Sequence, residues 1–178
     1  KILIAALFTV AFLNSCNQSQ QPVEAVENIV SDADRELMQK AQDLFQPIST
    51  IADSKENPVT QQKVALGKML FYDTRLSKTG NNSCNSCHNL ASFGVDNLPT
   101  SKGDNGGFGD RNSPTVLNAA VHAFQFWDGR AKDVEEQAGG PITNPVEMAI
   151  PSKEFLVARL KEVKEYQEMF KAAFPEAK

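Results

Sequence analysis

Five consecutive residues form the most specific chemical motif in the chain, Cys84-Asn85-Ser86-Cys87-His88. Two thiols at this spacing can form thioethers to the vinyl groups of a haem, and the adjacent imidazole can bind its iron. The motif therefore predicts a covalent haem c held by Cys84 and Cys87, with His88 as an iron ligand.

Two other uses of a Cys-x-x-Cys pair fit this sequence less well. A thioredoxin-type redox pair needs a βαβ context, which the sequence lacks, and no following histidine. A zinc site needs four ligands, and outside the motif the chain offers only Cys16 and His122. The adjacent Cys87 and His88 are also poorly placed to bind one tetrahedral ion. Haem is the preferred interpretation.

The segment around the motif favours loops that wrap a cofactor. Residues 73–109 are rich in Gly, Asn, Ser and Asp, which favour turns. Helical patterns occupy the rest of the chain, with no alternating strand pattern and no internal repeat. Helices are predicted from Ser31 to Pro47, over residues 60–71, 115–123 and 133–138, and from Ser152 to Pro175. The predicted fold is all-α, with long loops wrapped around the covalent haem.

Caps and breakers set the predicted helix ends. Ser31 followed by Asp34 is similar to a capping box, and Ser113 before Pro114 fits an N-cap with proline at the first helical position. A Gly139-Gly140 pair is expected to end the helix that starts at Asp133. In the last helical region, six side chains are expected to build an inner face: Phe155, Leu156, Leu160, Tyr166, Met169 and Phe170.

The first residues predict export. An apolar run over residues 2–13 follows Lys1 and is too short to span a bilayer, which is typical of a signal peptide. The run ends in Leu13-Asn14-Ser15-Cys16, which resembles a lipoprotein cleavage motif. We expect residues 1–15 to be a lipoprotein-type signal peptide, Cys16 to be lipidated and residues 16–30 to be a flexible tether. The alternative is an ordinary secretory signal with an incidental cysteine.

Length and charge limit the function further. A chain of 178 residues predicts one compact domain, over residues 31–178, plus a tail. The net charge of -4 and the pI near 5.2 argue against a nucleic-acid partner, because phosphate recognition needs clustered Lys and Arg. The expected location is the periplasm or outer cell envelope, with membrane contact only through a lipid anchor.

A series of motifs over residues 60–175 resembles the N-terminal domain of bacterial di-haem cytochrome c peroxidases in order and spacing. These motifs run from Leu66 to Ser77, Cys84 to His88, Arg111 to Thr115, Phe126 to Arg130 and Asn144 to Met148. The resemblance implies a cytochrome c-like helical domain that reduces hydrogen peroxide to water. The electrons would come from a small cytochrome c or cupredoxin, and a homodimer is implied as well.

The resemblance also implies roles for single residues. His88 would be the proximal ligand of the peroxidatic haem. Glu147 matches a distal acid-base that moves a proton between the peroxide oxygens, and Gln137 matches an amide that orients peroxide or water. Trp127 matches a tryptophan that relays electrons between two haems. Asn112 matches a calcium ligand.

Each of these roles has a plainer alternative. Glu147 could be a solvated loop carboxylate and Gln137 a surface side chain. Trp127 could be a core residue that stabilises the fold, and Asn112 could cap a helix ahead of Pro114.

The sequence departs from the family pattern in two ways. Many members have a histidine at the position of Asp104, which ligates the iron in the oxidised enzyme. Asp104 is expected to stay in solvent and His122 to pack among apolar neighbours, so that the ferric haem rests high-spin without a distal histidine. A second haem motif and an initiator methionine are also absent from the sequence. We therefore expect a fragment of a chain about twice as long.

Two other functions remain open at this point. A single-haem electron carrier would need a sixth ligand such as Met69 or Met148. A MauG-like enzyme of the same family would oxidise a protein residue instead of accepting electrons from a carrier. The rest of the open reading frame would separate these functions.

Overall fold

The computed structural model describes residues 30–177, in which all regular secondary structure is helical. The predicted signal peptide, the predicted lipidation site Cys16 and the tether up to residue 29 lie outside the described residues, as does Lys178. Two isolated β-bridges occur within the described part, Lys102 with Phe108 and Gln125 with Ala131. The prediction of an all-α fold is confirmed.

The chain divides into two compact units, one up to Pro47 and one from Ile48. The first contains α1, Asp32–Leu44. Ser31 caps it and forms the predicted capping box with Asp34. The domain boundary proposed at residue 31 stays a prediction.

The second unit contains the remaining helices. These are α2 (Gln61–Tyr72), α3 (Cys84–Cys87), α4 (Val134–Thr143), α5 (Lys153–Lys161) and α6 (Lys164–Ala173), with short 3-10 turns at Thr74–Leu76, Leu90–Ser92 and Ala119–Val121. The Thr60 side chain caps α2 by accepting a hydrogen bond from the backbone of Lys63. Between residues 30 and 177, no helix is both long enough and apolar enough to cross a bilayer.

The apolar core of the second unit joins α2, α5 and α6. Its buried members are Leu66, Leu76, Met148, Leu160, Tyr166 and Ala173. Burial of a large apolar side chain stabilises a fold by about 1.5–3 kcal/mol. Met148 belongs to this core, so the neighbouring Glu147 is attached directly to a buried residue.

The helical region predicted between Ser152 and Pro175 is broken into two helices. Ser152 caps α5 as predicted, but α5 ends at Lys161 and α6 begins at Lys164. The intervening Val163 is extended and packs against the core. On one straight helix Leu160 and Tyr166 would point about 120° apart. The break lets both side chains enter the same core.

The helix predicted over residues 115–123 is wrong, because only Ala119–Val121 forms a 3-10 turn. Ser113, the predicted N-cap, instead donates a hydrogen bond to the Cys87 carbonyl at 2.8 Å. Because its hydroxyl is used in this contact, Ser113 does not cap a helix at Pro114. His122 ends the 3-10 turn and is exposed, so its predicted packing role is wrong as well.

The helix that starts at Asp133 does not end at Gly139-Gly140, as predicted, but continues to Thr143. A Cβ on Gly140 would lie 3.2 Å from the tip of the Phe126 ring. The Arg130 guanidinium lies over the same ring, 3.4 Å from its centroid. Gly140 allows close packing against Phe126, and this packing outweighs the weak helix propensity of glycine.

Candidate active site

The attachment motif forms a single helical turn, α3. Cys84 and Cys87 are three residues apart and therefore share one face of that turn. His88 follows directly, and its backbone N–H donates to the Cys84 carbonyl at 2.9 Å. Two thiols and one imidazole thus project from one turn, as covalent attachment with axial ligation requires.

Backbone carbonyls orient the imidazole of His88. Its Nδ1 lies 3.0 Å from the Pro114 oxygen and 3.3 Å from the Gly94 oxygen. Because a carbonyl oxygen can only accept, Nδ1 carries the proton and Nε2 keeps a lone pair. A hydrogen bond from the second ring nitrogen is the usual way in which a metal-binding histidine is oriented. Nε2 is therefore prepared to bind iron.

Further hydrogen bonds tie neighbouring loops to α3. The hydroxyl of Ser113 bridges the Cys87 carbonyl and the Asp96 carboxylate, at 2.8 and 3.2 Å. The hydroxyl of Thr115 donates to the Phe93 carbonyl at 2.6 Å. These bonds tie the loops that follow the motif to one another and to Cys87.

Both thiols in the described residues are free and half-buried. Burial raises the pKa of Cys84 and Cys87, and the negative charges of Asp96 and Glu147 raise the pKa of Cys87 further.

Glu147 lies in a tight loop, residues 144–150, between α4 and α5. The side-chain amide of Asn144 donates to Glu147 Oε1 at 2.7 Å. The loop closes through a backbone bond from Ala149 N–H to the Asn144 carbonyl at 2.9 Å. Ala149 adopts a φ of 58°, which is uncommon for a residue other than glycine. The half-buried Glu147 carboxylate is therefore held in one orientation.

Two other segments bond to the backbone of this loop. The Lys78 N–H donates to the Met148 carbonyl at 2.8 Å, and the Asp104 N–H donates to the Glu147 carbonyl at 2.7 Å. Gly103 approaches so closely that a Cβ there would lie 2.0 Å from the Val146 oxygen. The loop of Glu147 is thus joined to the segments around the attachment turn.

Asp104 is buried, so the prediction that it stays in solvent is wrong. Its side-chain oxygens accept hydrogen bonds from the Thr79 N–H, the Thr79 hydroxyl and the Asn81 N–H, at 2.7, 2.8 and 3.2 Å. Burial raises the pKa of Asp104, but the hydrogen bonds from Thr79 and Asn81 outweigh it and lower the pKa below its ordinary value. The turn at residues 79–81 supplies donors that need an acceptor, which explains the inward orientation.

The other predicted site residues lie in the same unit. Gln137 is half-buried on α4. Trp127 is 63% exposed and is therefore not a core residue, and its indole N–H donates to the Asn112 carbonyl at 3.0 Å. Asn112 is exposed, and no helix begins at Pro114 for it to cap. Within residues 30–177, no three His, Cys, Asp or Glu side chains converge in a way that could hold a metal ion. Calcium binding at Asn112 stays a prediction.

The donor set and the surface around it fit a haem. Large aromatic side chains in the loops after the motif are exposed, with Phe93 at 80%, Phe124 at 63% and Phe108 at 59%. A porphyrin attached to two thiols on one turn would supply apolar area to such rings.

Sequence reasoning missed the contribution of two residues that hold the site together, because it gave Asn144 no role of its own and expected Asp104 to stay in solvent. Asn144 lies three positions before Glu147, a spacing at which an Asn amide can reach the carboxylate, so this signal was present. The partners of Asp104 lie 23 and 25 positions away along the chain, where no local pattern can indicate them.

Comparisons with known proteins identify the family to which the chain is similar. A family model described as di-haem cytochrome c peroxidase matches residues 61–178. The cytochrome c551 peroxidase of Pseudomonas aeruginosa is 47% identical over 142 residues, covering 79% of this chain and 41% of that protein. The cytochrome c551 peroxidase of Nitrosomonas europaea is 48% identical over 134 residues, covering 75% and 38%. The chain spans about two fifths of the length of these curated relatives.

Relatives of a second kind are also similar. The methylamine utilization protein MauG of Methylorubrum extorquens is 40% identical over 148 residues, covering 81% of this chain and 40% of that protein. The crystal structure of a MauG-like protein associated with microbial copper homeostasis matches with a TM-score of 0.68 and 34% identity, covering 76% of this chain and 40% of that one. A di-haem peroxidase from Burkholderia thailandensis matches with a TM-score of 0.59 and 27% identity, covering 66% and 33%.

Proposed function

Because the chain belongs to the di-haem cytochrome c peroxidase family, we propose that it carries a peroxidatic site with one haem c on Cys84 and Cys87. The reaction reduces hydrogen peroxide to two waters and consumes two electrons and two protons. The electrons come from a small cytochrome c or a cupredoxin. When bound, the haem supplies an iron that binds peroxide and passes electrons to it.

The orientation of His88 carries this proposal. Its Nδ1–H is committed to the Pro114 carbonyl at 3.0 Å, which leaves Nε2 as the iron ligand. A thioredoxin-type pair would not need this arrangement, since its chemistry takes place at the two sulfurs. The half-buried thiols adjoin the oriented imidazole on a single turn, which suits haem attachment.

Glu147 is the proposed acid-base of the reaction. Asn144 holds Oε1, so Oε2 is the oxygen that exchanges a proton. Glu147 accepts a proton from one peroxide oxygen and returns it to the other, so that the leaving oxygen departs as water. Gln137, from the neighbouring α4, orients peroxide through its amide, and the exposed indole of Trp127 relays electrons to the site.

Stopped-flow mixing of the haem-loaded protein with peroxide tests the acid-base role. Glu147→Gln is expected to slow the reaction by about 10²- to 10⁴-fold, the usual cost of losing a general acid-base, with haem content unchanged. Glu162→Gln, an exposed carboxylate at the end of α5, serves as the matched control and should react at the wild-type rate. Equal rates for Glu147→Gln and wild type would contradict the proposal.

The ferric iron is proposed to rest high-spin, without a distal histidine. The carboxylate at position 104 is bonded to Thr79 and Asn81, and His122 lies exposed on a 3-10 turn. Electron paramagnetic resonance of the oxidised protein should show a dominant high-spin signal. A low-spin bis-histidine signal that disappears in His122→Ala would contradict this assignment.

A MauG-like oxidation of a protein residue is the second candidate function, favoured by the similarity to MauG and to the MauG-like structure. Peroxide turnover with a reduced small cytochrome c or cupredoxin distinguishes the two candidates. Steady oxidation of the donor supports the peroxidase. Consumption of peroxide without donor oxidation supports the MauG-like reaction.

A simple electron carrier is less well supported by the packing. Of the sixth ligands suggested by the sequence, Met148 is buried in the apolar core and Met69 packs against that core. Both side chains are thereby used for packing.

The cellular setting is proposed on the sequence and the family alone. The protein is placed in the periplasm or outer cell envelope, anchored by lipid on Cys16, with calcium at Asn112 and a homodimeric assembly. Radiolabelled palmitate should be incorporated into wild type and not into Cys16→Ala.

Elemental analysis of wild type and Asn112→Ala tests whether Asn112 binds calcium. Sedimentation velocity tests whether the protein is a homodimer.

A further inference from the structure

One buried carboxylate near the site has no part in the proposed reaction. Asp104 is 7% exposed, and both of its side-chain oxygens accept hydrogen bonds. All three donors belong to residues 79–81, which lead directly into the attachment turn α3. The side chain therefore binds the segment that precedes the haem-binding cysteines.

The backbone around Asp104 contacts a different segment. Its N–H donates to the Glu147 carbonyl at 2.7 Å. The neighbouring Gly103 packs against the Val146 carbonyl so closely that any side chain there would collide with it. The dipeptide Gly103-Asp104 thus joins the approach to α3 with the loop that carries Glu147.

This connection resists displacement. A buried charge is tolerated only while it is hydrogen-bonded, and bonds to an ionised acceptor are stronger than neutral ones. The hydrogen bonds to Asp104 outweigh its burial and favour the ionised carboxylate. Moving residues 79–81 away from Asp104 would leave a buried charge without partners.

We propose that Asp104 is a positioning residue, which sets the placement of Glu147 relative to the attachment turn. The inference rests on the proposed acid-base role of Glu147. A parallel link exists between the Lys78 N–H and the Met148 carbonyl, but it uses backbone atoms alone. The Asp104 carboxylate adds side-chain hydrogen bonds to residues 79–81, and substitution of Asp104 can weaken or remove them.

The first test measures peroxide reactivity of haem-loaded Asp104→Asn. The amide keeps the size of the side chain but loses one acceptor oxygen and the charge. We expect a slowing of about 10- to 100-fold with normal haem content, because a displacement of about 1 Å at a reacting group can cost about 10²-fold. The matched control is Asp110→Asn, an exposed carboxylate in the same loop, with an expected change below about twofold.

A double-mutant comparison separates positioning from general support of the fold. In the Glu147→Gln background, Asp104→Asn should slow the reaction by less than about twofold, because the group that it positions is already inactive. If the two slowing factors multiply instead, Asp104 acts independently of Glu147 and the inference is wrong. An unchanged rate in Asp104→Asn alone also overturns it.

The outcomes distinguish this inference from the proposed function. A wild-type rate in Glu147→Gln removes the acid-base role and the positioning role with it. If Glu147→Gln reacts slowly and the slowing factors of Glu147→Gln and Asp104→Asn multiply in the double variant, only the positioning role is wrong. If Asp104→Asn does not load haem, Thr79→Val replaces it, because the hydroxyl of this exposed residue donates one of the three bonds and the backbone N–H bond is kept. Thr79→Val should slow the reaction by a few-fold in wild type and not in Glu147→Gln, and any other pattern overturns the inference.

Discussion

The apolar core and the loops around the attachment turn are held together by different forces. In the core, six buried side chains from α2, α5, α6 and adjoining loops pack against one another. Around α3, the contacts that set the geometry are hydrogen bonds between side chains and the backbone, such as those of His88, Ser113 and Asp104. Aromatic rings in the same loops stay exposed, with Phe93 as the clearest example.

This difference shows which region depends on a cofactor. Apolar burial is the main favourable contribution to folding, and the core achieves it within the chain. The loops contain many hydrogen-bonded polar groups, although Ser101 Oγ is buried without a partner, and their aromatic rings stay exposed. A bound haem would add apolar contacts to these rings. We therefore expect the two regions to respond separately to haem removal and to truncation of the core.

Loss of the attachment cysteines should have the largest effect. In the double variant Cys84→Ala, Cys87→Ala, mass spectrometry should show no covalent haem, whereas wild type matured in a periplasm carries one. Hydrogen exchange should accelerate over residues 88–118, and the amides of α2, α5 and α6 should keep their protection. Equal loss of protection in both regions would contradict the proposed division. A wild-type apoprotein with bound zinc would exclude the haem assignment.

Truncation of the core should destabilise the other region. Leu66 is 3% exposed on α2, and Leu66→Ala should lower the free energy of unfolding by about 2–5 kcal/mol while covalent haem is retained. Val64 lies on the same helix but is exposed, so Val64→Ala serves as the control, with an expected cost below about 0.5 kcal/mol. Denaturant titration measures both. Similar costs for the two variants would contradict the assigned core.

The third prediction concerns the polar contact within the core. The Tyr166 hydroxyl donates to Asp73 at 2.5 Å, and Tyr166→Phe should lower the free energy of unfolding by about 1.5–3 kcal/mol, the range for bonds to charged groups. Burial raises the pKa of Tyr166, and the neighbouring Asp73 raises it further. Burial also raises the pKa of Asp73, but hydrogen bonds from Arg75 and Tyr166 outweigh it and lower the pKa.

These shifts define the pH range of the effect. The lowered pKa of Asp73 stabilises the fold at pH values above its ordinary pKa of 3.8. This stabilisation is lost as the pH falls through the pKa of the folded state. A raised tyrosine pKa stabilises the fold below the ordinary value of 10.0, and the stabilisation is lost at higher pH. The difference in free energy of unfolding between wild type and Tyr166→Phe should be constant between about pH 4 and pH 10 and should shrink outside that range. A difference that does not vary with pH would show that the contact is not electrostatic.

The smallest expected effect is at Asn144, which orients Glu147 and contributes little to the core. Asn144→Ala should slow the reaction with peroxide by about tenfold, since one hydrogen bond to a charged group is worth about 1.5–3 kcal/mol and part of it is recovered from water. The free energy of unfolding should change much less than in Leu66→Ala. A loss of stability without a loss of rate would assign Asn144 to the fold instead of the site.

Features set by neighbouring residues were predictable from the sequence. The attachment motif, the caps Ser31, Thr60 and Ser152 and the all-α class depend on residues within about one helical turn, whose interactions are the same in any fold. The family motifs likewise indicated Glu147 and Gln137 by position, although not by geometry.

Features that depend on distant partners were decided by the tertiary structure. Ser113 bonds to Cys87 instead of capping a helix, Gly140 packs on Phe126 instead of ending one, and Asp104 is buried against residues 79–81 instead of facing solvent. In each case a local preference of about 1 kcal/mol competes with long-range packing or a buried hydrogen bond of similar or larger size. The sequence by itself determined which groups are available for the proposed haem attachment and proton transfer, and the long-range contacts decided how those groups are placed.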